Sequence, residues 1–176
     1  MAARTLPVTA TKNTADLITG SLWNAGPKAL GDFMLTVPIF RGRQGTTQNI
    51  ANGTWTALSL DVTDVDSDSG HSNVTNNSRY TCQVPGWYWV EGYFALGIYA
   101  QARFTAGIRK NGVSVPGSAQ STIKLGDLQS ISASTVVQMA VNDYVEVWGW
   151  QSVGSTITTF DGSDLCPCLN VFWLHS

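Results

Sequence analysis

The sequence predicts an all-β fold, an antiparallel sandwich that assembles with copies of itself. Three observations lead there. Late segments of the chain alternate their side chains between two faces, and both faces are apolar. Turn signals separate those segments at short spacing. Helix signals are confined to one stretch near the N-terminus.

The strand readings come first because they carry the most. Residues 84–96 put Tyr88, Val90, Phe94 and Leu96 on one face, and Trp87, Trp89 and Tyr93 on the other with Glu91 between them. Residues 144–151 set Val145 and Val147 against Tyr144, Trp148 and Trp150, and residues 169–174 set Val171 and Trp173 against Phe172 and Leu174. An antiparallel strand usually buries one face and wets the other. A second apolar face needs a cover, and in a chain poor in helix the expected cover is another copy. Trp87, Trp89, Tyr93, Trp148 and Trp150 are therefore expected at a subunit interface.

In chain order, residues 1–13 are polar, Thr-rich and expected to be extended. Residues 14–37 hold the helical signals. Leu22, Trp23, Ala29, Leu30 and Phe33 suit an apolar stripe, Thr19 or Ser21 suits the cap, and Gly26-Pro27 suits a break or restart. This is too little apolar matter to fold alone. Leu17, Ile18, Leu22, Trp23, Leu30 and Phe33 are costly to leave in water, so residues 1–37 are expected to anchor to a partner. Residues 38–176 form the second unit. Runs at 54–60, 79–84, 103–109 and 134–141 read as strands. Pro85-Gly86 marks a turn, and Asn111-Gly112 a hairpin, since both of its turn residues must accept positive φ.

Composition bounds the function. Charged residues are 12% of the chain, about half the usual share. Net charge is -2 with no basic stripe, which argues against nucleic acid as a partner. No signal-peptide pattern opens the sequence and no apolar run is long enough to span a membrane, so synthesis in a cytoplasm without membrane insertion is expected.

The residues also carry a resemblance. Arg79-Tyr80-Thr81, then residues 84–90 around Gly86-Trp87, then Ile108-Arg109-Lys110-Asn111-Gly112, then Val141-Asn142-Asp143-Tyr144-Val145, resemble in order and spacing the C1q/TNF-like jelly roll. Asn142 stands where that family usually has Gly. The match covers roughly residues 39–174. It implies an antiparallel jelly-roll β-sandwich and a homotrimer whose aromatic faces meet at the threefold axis. Residues 18–24, followed by a short helix and Pro38, are similar to the opening of small virion proteins of tailed phages infecting actinobacteria. That implies a virion protein made in the host cytoplasm. Its partners would be itself, other virion proteins of tail or capsid, and a host cell-surface glycan or protein. Two placements stay open: a tail or baseplate accessory or receptor-binding protein, and a capsid decoration protein. A bacterial C1q-like binding module without a virion is the third.

Enzymatic readings are poorly supported. No P-loop, GxSxG or HExxH is present, and neither His71 nor His175 sits in a catalytic pattern. His71 reads as a surface loop residue. Asp64, Asp66 and Asp68 place carboxylates at alternate positions, as a hard cation requires. A plain solvated loop is the expectation, and weak calcium binding is the alternative. Cys82, Cys166 and Cys168 read as free thiols packed as small hydrophobes, with a Cys82 disulfide left open. Trp148 and Trp150 suit stacking on a sugar ring as well as packing at the interface.

Overall fold

The computed structural model describes residues 6–8, 11, 17–97, 101–124, 128–162 and 164–176. The expected extended stretch at 1–13 therefore lies, apart from residues 6–8 and 11, outside the described residues. Helix α1 (Gly20–Trp23) and helix α2 (Ala29–Leu35) are joined by a π-turn over Asn24–Lys28. Thr19 caps α1, its Oγ1 accepting from the Leu22 N–H at 3.2 Å. Pro27 has no N–H to donate, and its ring would meet the carbonyl four residues back. The expected break or restart takes the form of a π-turn, after which the helix continues. The extra residue in that turn rotates the two halves, and the single expected stripe divides. Phe33 is buried, Leu22 and Ala29 are half-buried, and Trp23 and Leu30 are exposed.

The strands follow in order: β1 (Ile39–Arg43), β2 (Asn49–Ile50), β3 (Thr56–Ala57), β4 (Val62–Asp66), β5 (Arg79–Thr81), β6 (Gly86–Leu96), β7 (Ala102–Lys110), β8 (Val113–Ser114), β9 (Gln120–Lys124), β10 (Gln129–Met139), β11 (Tyr144–Gln151), β12 (Ile157–Thr158) and β13 (Cys168–His175). The first sheet has the order β10-β6-β13-β1-β4. The second has the order β3-β11-β7-β8, with β5 also on β11 and β9 also on β7. Every pairing is antiparallel. The chain crosses between sheets repeatedly, as a jelly roll requires.

The core lies between the sheets. Tyr88, Val90, Phe94 and Leu96 of β6 meet Phe104, Ala106 and Ile108 of β7 and Val145 and Val147 of β11. Each such large side chain contributes roughly 1.5–3 kcal/mol on burial. Two glycines set the spacing of the layers. A Cβ on Gly92 would overlap the Val147 side chain, and one on Gly149 would sit 2.7 Å from the Phe94 ring.

The Asn111-Gly112 hairpin forms as expected, with φ of 51° and 78°. Beside it, Asp143 accepts from Lys110 Nζ at 2.7 Å, Asn111 Nδ2 at 2.7 Å and the Ala140 N–H at 2.8 Å. The lysine bond, with those from Asn111 and Ala140, outweighs burial and holds the Asp143 carboxyl down at about 2. Its unfolded value is near 3.9. The stability it contributes is thus complete above pH of about 4 and is lost as pH falls toward 2. Asp143→Asn is expected to cost about 1–2 kcal/mol at pH 7, after discounting for the partial exposure of the pair, and little at pH 2. Urea unfolding at both pH values checks this.

Two stretches depart from expectation. The run at 54–60 is expected as a strand, but only β3 is regular there. Glutamine side chains replace the ladder: Gln48 Nε2 donates to Ala57 O at 3.0 Å, and Gln48 Oε1 accepts from Ser59 N at 3.0 Å. The buried Gln44 accepts from Thr159 Oγ1 and donates to Ser59 O at 3.3 Å. Residues 61–68, expected as a loop, contain the edge strand β4.

Candidate functional site

The side chains of the first sheet that point away from the core form rows across its strands. Register places Val136 of β10 beside Trp89 of β6, Trp89 beside Phe172 of β13, and Phe172 beside Ile39 of β1. Val136, Trp89 and Phe172 are 44%, 39% and 38% exposed. This is one apolar row crossing four strands. Leu174 and Trp87 extend it toward the chain termini. The next row is polar: Ser134, Glu91, Asn170 and Arg41. Glu91 accepts from the Tyr93 hydroxyl at 3.0 Å, and Tyr93 stands in the row beyond.

The second sheet's outer face is built differently. Tyr144, Glu146, Trp148 and Trp150 of β11 point outward there, beside Arg103 and Arg109 of β7 and Arg79 of β5. A guanidinium lies over each aromatic ring. Arg79 sits 4.0 Å from the Tyr144 centroid, Arg109 3.8 Å from Trp148 and 5.6 Å from Trp55, and Arg103 4.8 Å from Trp150. Each such contact contributes roughly 0.5–1 kcal/mol at exposed sites. Glu146 is only 3% exposed; its oxygens accept from Ser78 Oγ at 2.7 Å and Trp148 Nε1 at 3.0 Å. A Cβ on Gly107 would meet the Trp55 ring at 3.4 Å, so the indole lies close over the sheet there.

The five aromatics expected at one interface thus divide. Trp87, Trp89 and Tyr93 share the first sheet's outer face. Trp148 and Trp150 lie on the opposite face of the sandwich, under arginines. The sequence reading missed Val136 and Ile39 on the first face, and Trp55 and the three arginines on the second.

With this geometry, solved structures show what the chain is similar to. The fold is that of a C1q globular domain. The structure described as "Globular Domain of Zebrafish Complement 1qA protein" superposes with a TM-score of 0.56 at 14% sequence identity, covering 78% of this chain and 98% of that one. No protein-family model and no curated protein matches the sequence. The C1q-like fold confirms the antiparallel jelly roll expected from the motifs.

At one end of this C1q-like head, Phe33 of α2 packs edge-on against Trp173, with ring centroids 5.1 Å apart. Trp173 Nε1 donates to Pro85 O at 3.3 Å. The rest of the N-terminal segment is less covered: Leu17, Ile18, Trp23, Leu30, Met34 and Leu35 are all exposed. Of the expected anchor residues, Phe33 therefore packs on the head, Leu22 is half-buried, and Leu17, Ile18, Trp23 and Leu30 are exposed.

The aspartates do not converge. Asp64 sits on β4 and accepts from Arg41 Nε at 3.0 Å and Arg43 Nε at 3.1 Å. Burial raises its carboxyl, but the two guanidinium bonds outweigh that and hold it below the usual range. Asp66 accepts from the N–H groups of Gly70 and His71, both at 3.0 Å, and closes the following turn. Asp68 is buried beside the Ser67 hydroxyl. Among the described residues no group of three or more His, Cys, Asp and Glu is placed to hold a metal. The three carboxylates turn to separate protein donors, an arrangement that lends the calcium alternative for Asp64, Asp66 and Asp68 no support. The solvated-loop expectation fails.

His71 is half-buried, with ring nitrogens 2.8 Å from Arg79 O and 2.9 Å from Leu60 O and its ring against Phe40. Cys82, Cys166 and Cys168 are free thiols. Cys82 is fully buried, its Sγ donating to Val84 O at 3.1 Å, and burial pushes the Cys168 thiol up to about 11. Both are packing groups.

Proposed function

We propose that the chain is a homotrimeric, non-enzymatic binding module of a phage particle: a virion structural protein of the tail or baseplate that touches the host envelope. Three heads meet through the outer face of the first sheet. The observation that carries this reading is the apolar row Val136, Trp89, Phe172 and Ile39. An unbroken apolar row on a sheet, with no cover among the described residues, marks an association surface. On the second sheet the aromatics have intramolecular covers and need no partner. The C1q-like fold supports three copies, through the trimers that the family resemblance implies.

The exposed N-terminal residues Leu17, Ile18, Trp23 and Leu30 support attachment to other virion proteins. The opening similar to phage virion proteins supports the same placement. A chain starting at Pro38 tests it. That chain is expected to keep the trimer, to lose about 1–2 kcal/mol because Trp173 is uncovered, and to be absent from purified particles. Incorporation of the shortened chain at wild-type level contradicts the proposed attachment.

A further inference from the structure

We propose that in the assembled protein Arg41 of one head reaches Glu91 and Asn170 of the next, so that the polar row beside the apolar row is completed only by a second copy of this chain. The inference rests on the association through the first sheet proposed above and names the contact that fixes its register.

The polar row holds more than one chain satisfies. Asn170 is only 7% exposed, and its side-chain amide makes no hydrogen bond among the described residues. Glu91 beside it accepts from the Tyr93 hydroxyl at 3.0 Å, and no described cation lies within 4 Å of its carboxylate. Arg41 stands on the far side of Asn170 in the same row. It is two strand spacings from Glu91, about 10 Å, too far to pair with it inside one chain. Arg41 does bond Asp64, but Asp64 is shared with Arg43. Two guanidiniums on one carboxylate leave a positive charge over, and Glu91 leaves a negative one. A recess of about 350 Å³ opens beside them, lined in part by Arg41, Tyr93, Asp164 and Asn170. The acids and the amide oxygen there suit an entering cation.

The neighbouring row selects the occupant. Successive rows on a face are two residues apart along the strands, about 7 Å. Whatever seats on Trp89 and Phe172 therefore also dries Glu91 and Asn170. A dried carboxylate with one hydroxyl donor is strongly penalised unless a cation meets it. The partner must be apolar at one level and cationic at the next. This face is itself such a surface, with Val136, Trp89, Phe172 and Ile39 in one row and Arg41 in the other. Matching like rows keeps polar groups off the tryptophan and phenylalanine rings. At the polar level the Arg41 end of one head then meets the Glu91 end of the next. The Arg41 side chain is 50% exposed and so available to reach across. Its planar fork presents parallel N–H donors that suit a carboxylate with an amide oxygen beside it. Contacts between unlike ends are head-to-tail, the kind from which a ring of three closes.

The test is a charge exchange in the full chain, read by light scattering, with circular dichroism and thermal melting to show that each head is folded. Glu91→Arg and Arg41→Glu are each expected to give a single chain mass at micromolar concentration. The double exchange is expected to restore the wild-type mass. Nothing inside one chain supplies that rescue, because the two positions stay about 10 Å apart. Arg41→Gln, which leaves Arg43 on Asp64, serves where Arg41→Glu unfolds the head. It is expected to raise the concentration of half-assembly about tenfold or more. A Glu91→Arg chain that keeps the wild-type mass overturns the proposal. So does a folded double variant that stays a single chain, or an Arg41→Gln chain that assembles as the wild type does. A wild-type chain of single mass contradicts the association itself and this contact with it. A wild-type trimer combined with any of the three overturning results contradicts this contact alone.

Discussion

Gly92→Val is expected to lower stability by about 3 kcal/mol or more, which for a chain of this size is a fall in melting temperature of roughly 10 °C. Gly92 faces the core from β6, close against the opposite sheet. A Cβ there would lie 2.5 Å from Val147 Cβ and 3.1 Å from Ile108 Cδ1. Both neighbours sit on strands of the opposite sheet, so relief requires the layers to part rather than a side chain to turn. Ladder pairing of β6 with β10 and β13 on either side resists that shift. Gly107→Ala provides the control. A Cβ there meets Trp55 at 3.4 Å, an ordinary contact, and a change under about 1 kcal/mol is expected. Thermal melting of the two variants side by side checks the sheet spacing: equal effects would place the close approach elsewhere.

Trp89→Lys is expected to dissociate the assembly while leaving each head folded. Trp89 stands in the middle of the exposed row, between Val136 and Phe172, and its side chain points away from the core. An unpaired ammonium in a dry interface costs several kcal/mol at each of the equivalent contacts. The monomer carries no such penalty, because there the introduced ammonium would face water. Trp148→Lys serves as the comparison. It removes the floor under Arg109 and a donor to Glu146, so it is expected to reduce head stability yet leave the mass of the assembly unchanged. The two tryptophans look alike in the sequence and differ only in which sheet carries them.

That difference marks the limit of what the sequence disclosed. The alternation of residues 84–96, 144–151 and 169–174 was fully readable, because bulky side chains at period two leave few other structures. Tyr88, Val90, Phe94, Val145, Val147 and Val171 all face the core as their spacing required. The covers over the second face were not readable. Arg79, Arg103 and Arg109 reach Tyr144, Trp150 and Trp148 only through the pairing of β5 and β7 with β11, a non-local fact. A usable signal was present: Arg103 and Arg109 fall on the outward parity of their strand, as Trp148 and Trp150 do on theirs. The aspartates misled for a related reason. Carboxylates at alternate positions suit a cation loop, and they equally suit an edge strand facing Arg41 and Arg43 on β1. The glutamine bonds of residues 44–60 left no trace, since neutral amides have no periodic signature.

The mass of the wild-type chain in solution is the most direct test of the proposed assembly. Multi-angle light scattering at micromolar concentration is expected to give three times the 18.9 kDa chain mass, and Trp89→Lys a single chain mass. A wild-type chain that runs as a stable monomer would contradict the account, because the row from Val136 to Ile39 would then be an exposed apolar surface with nothing to cover it.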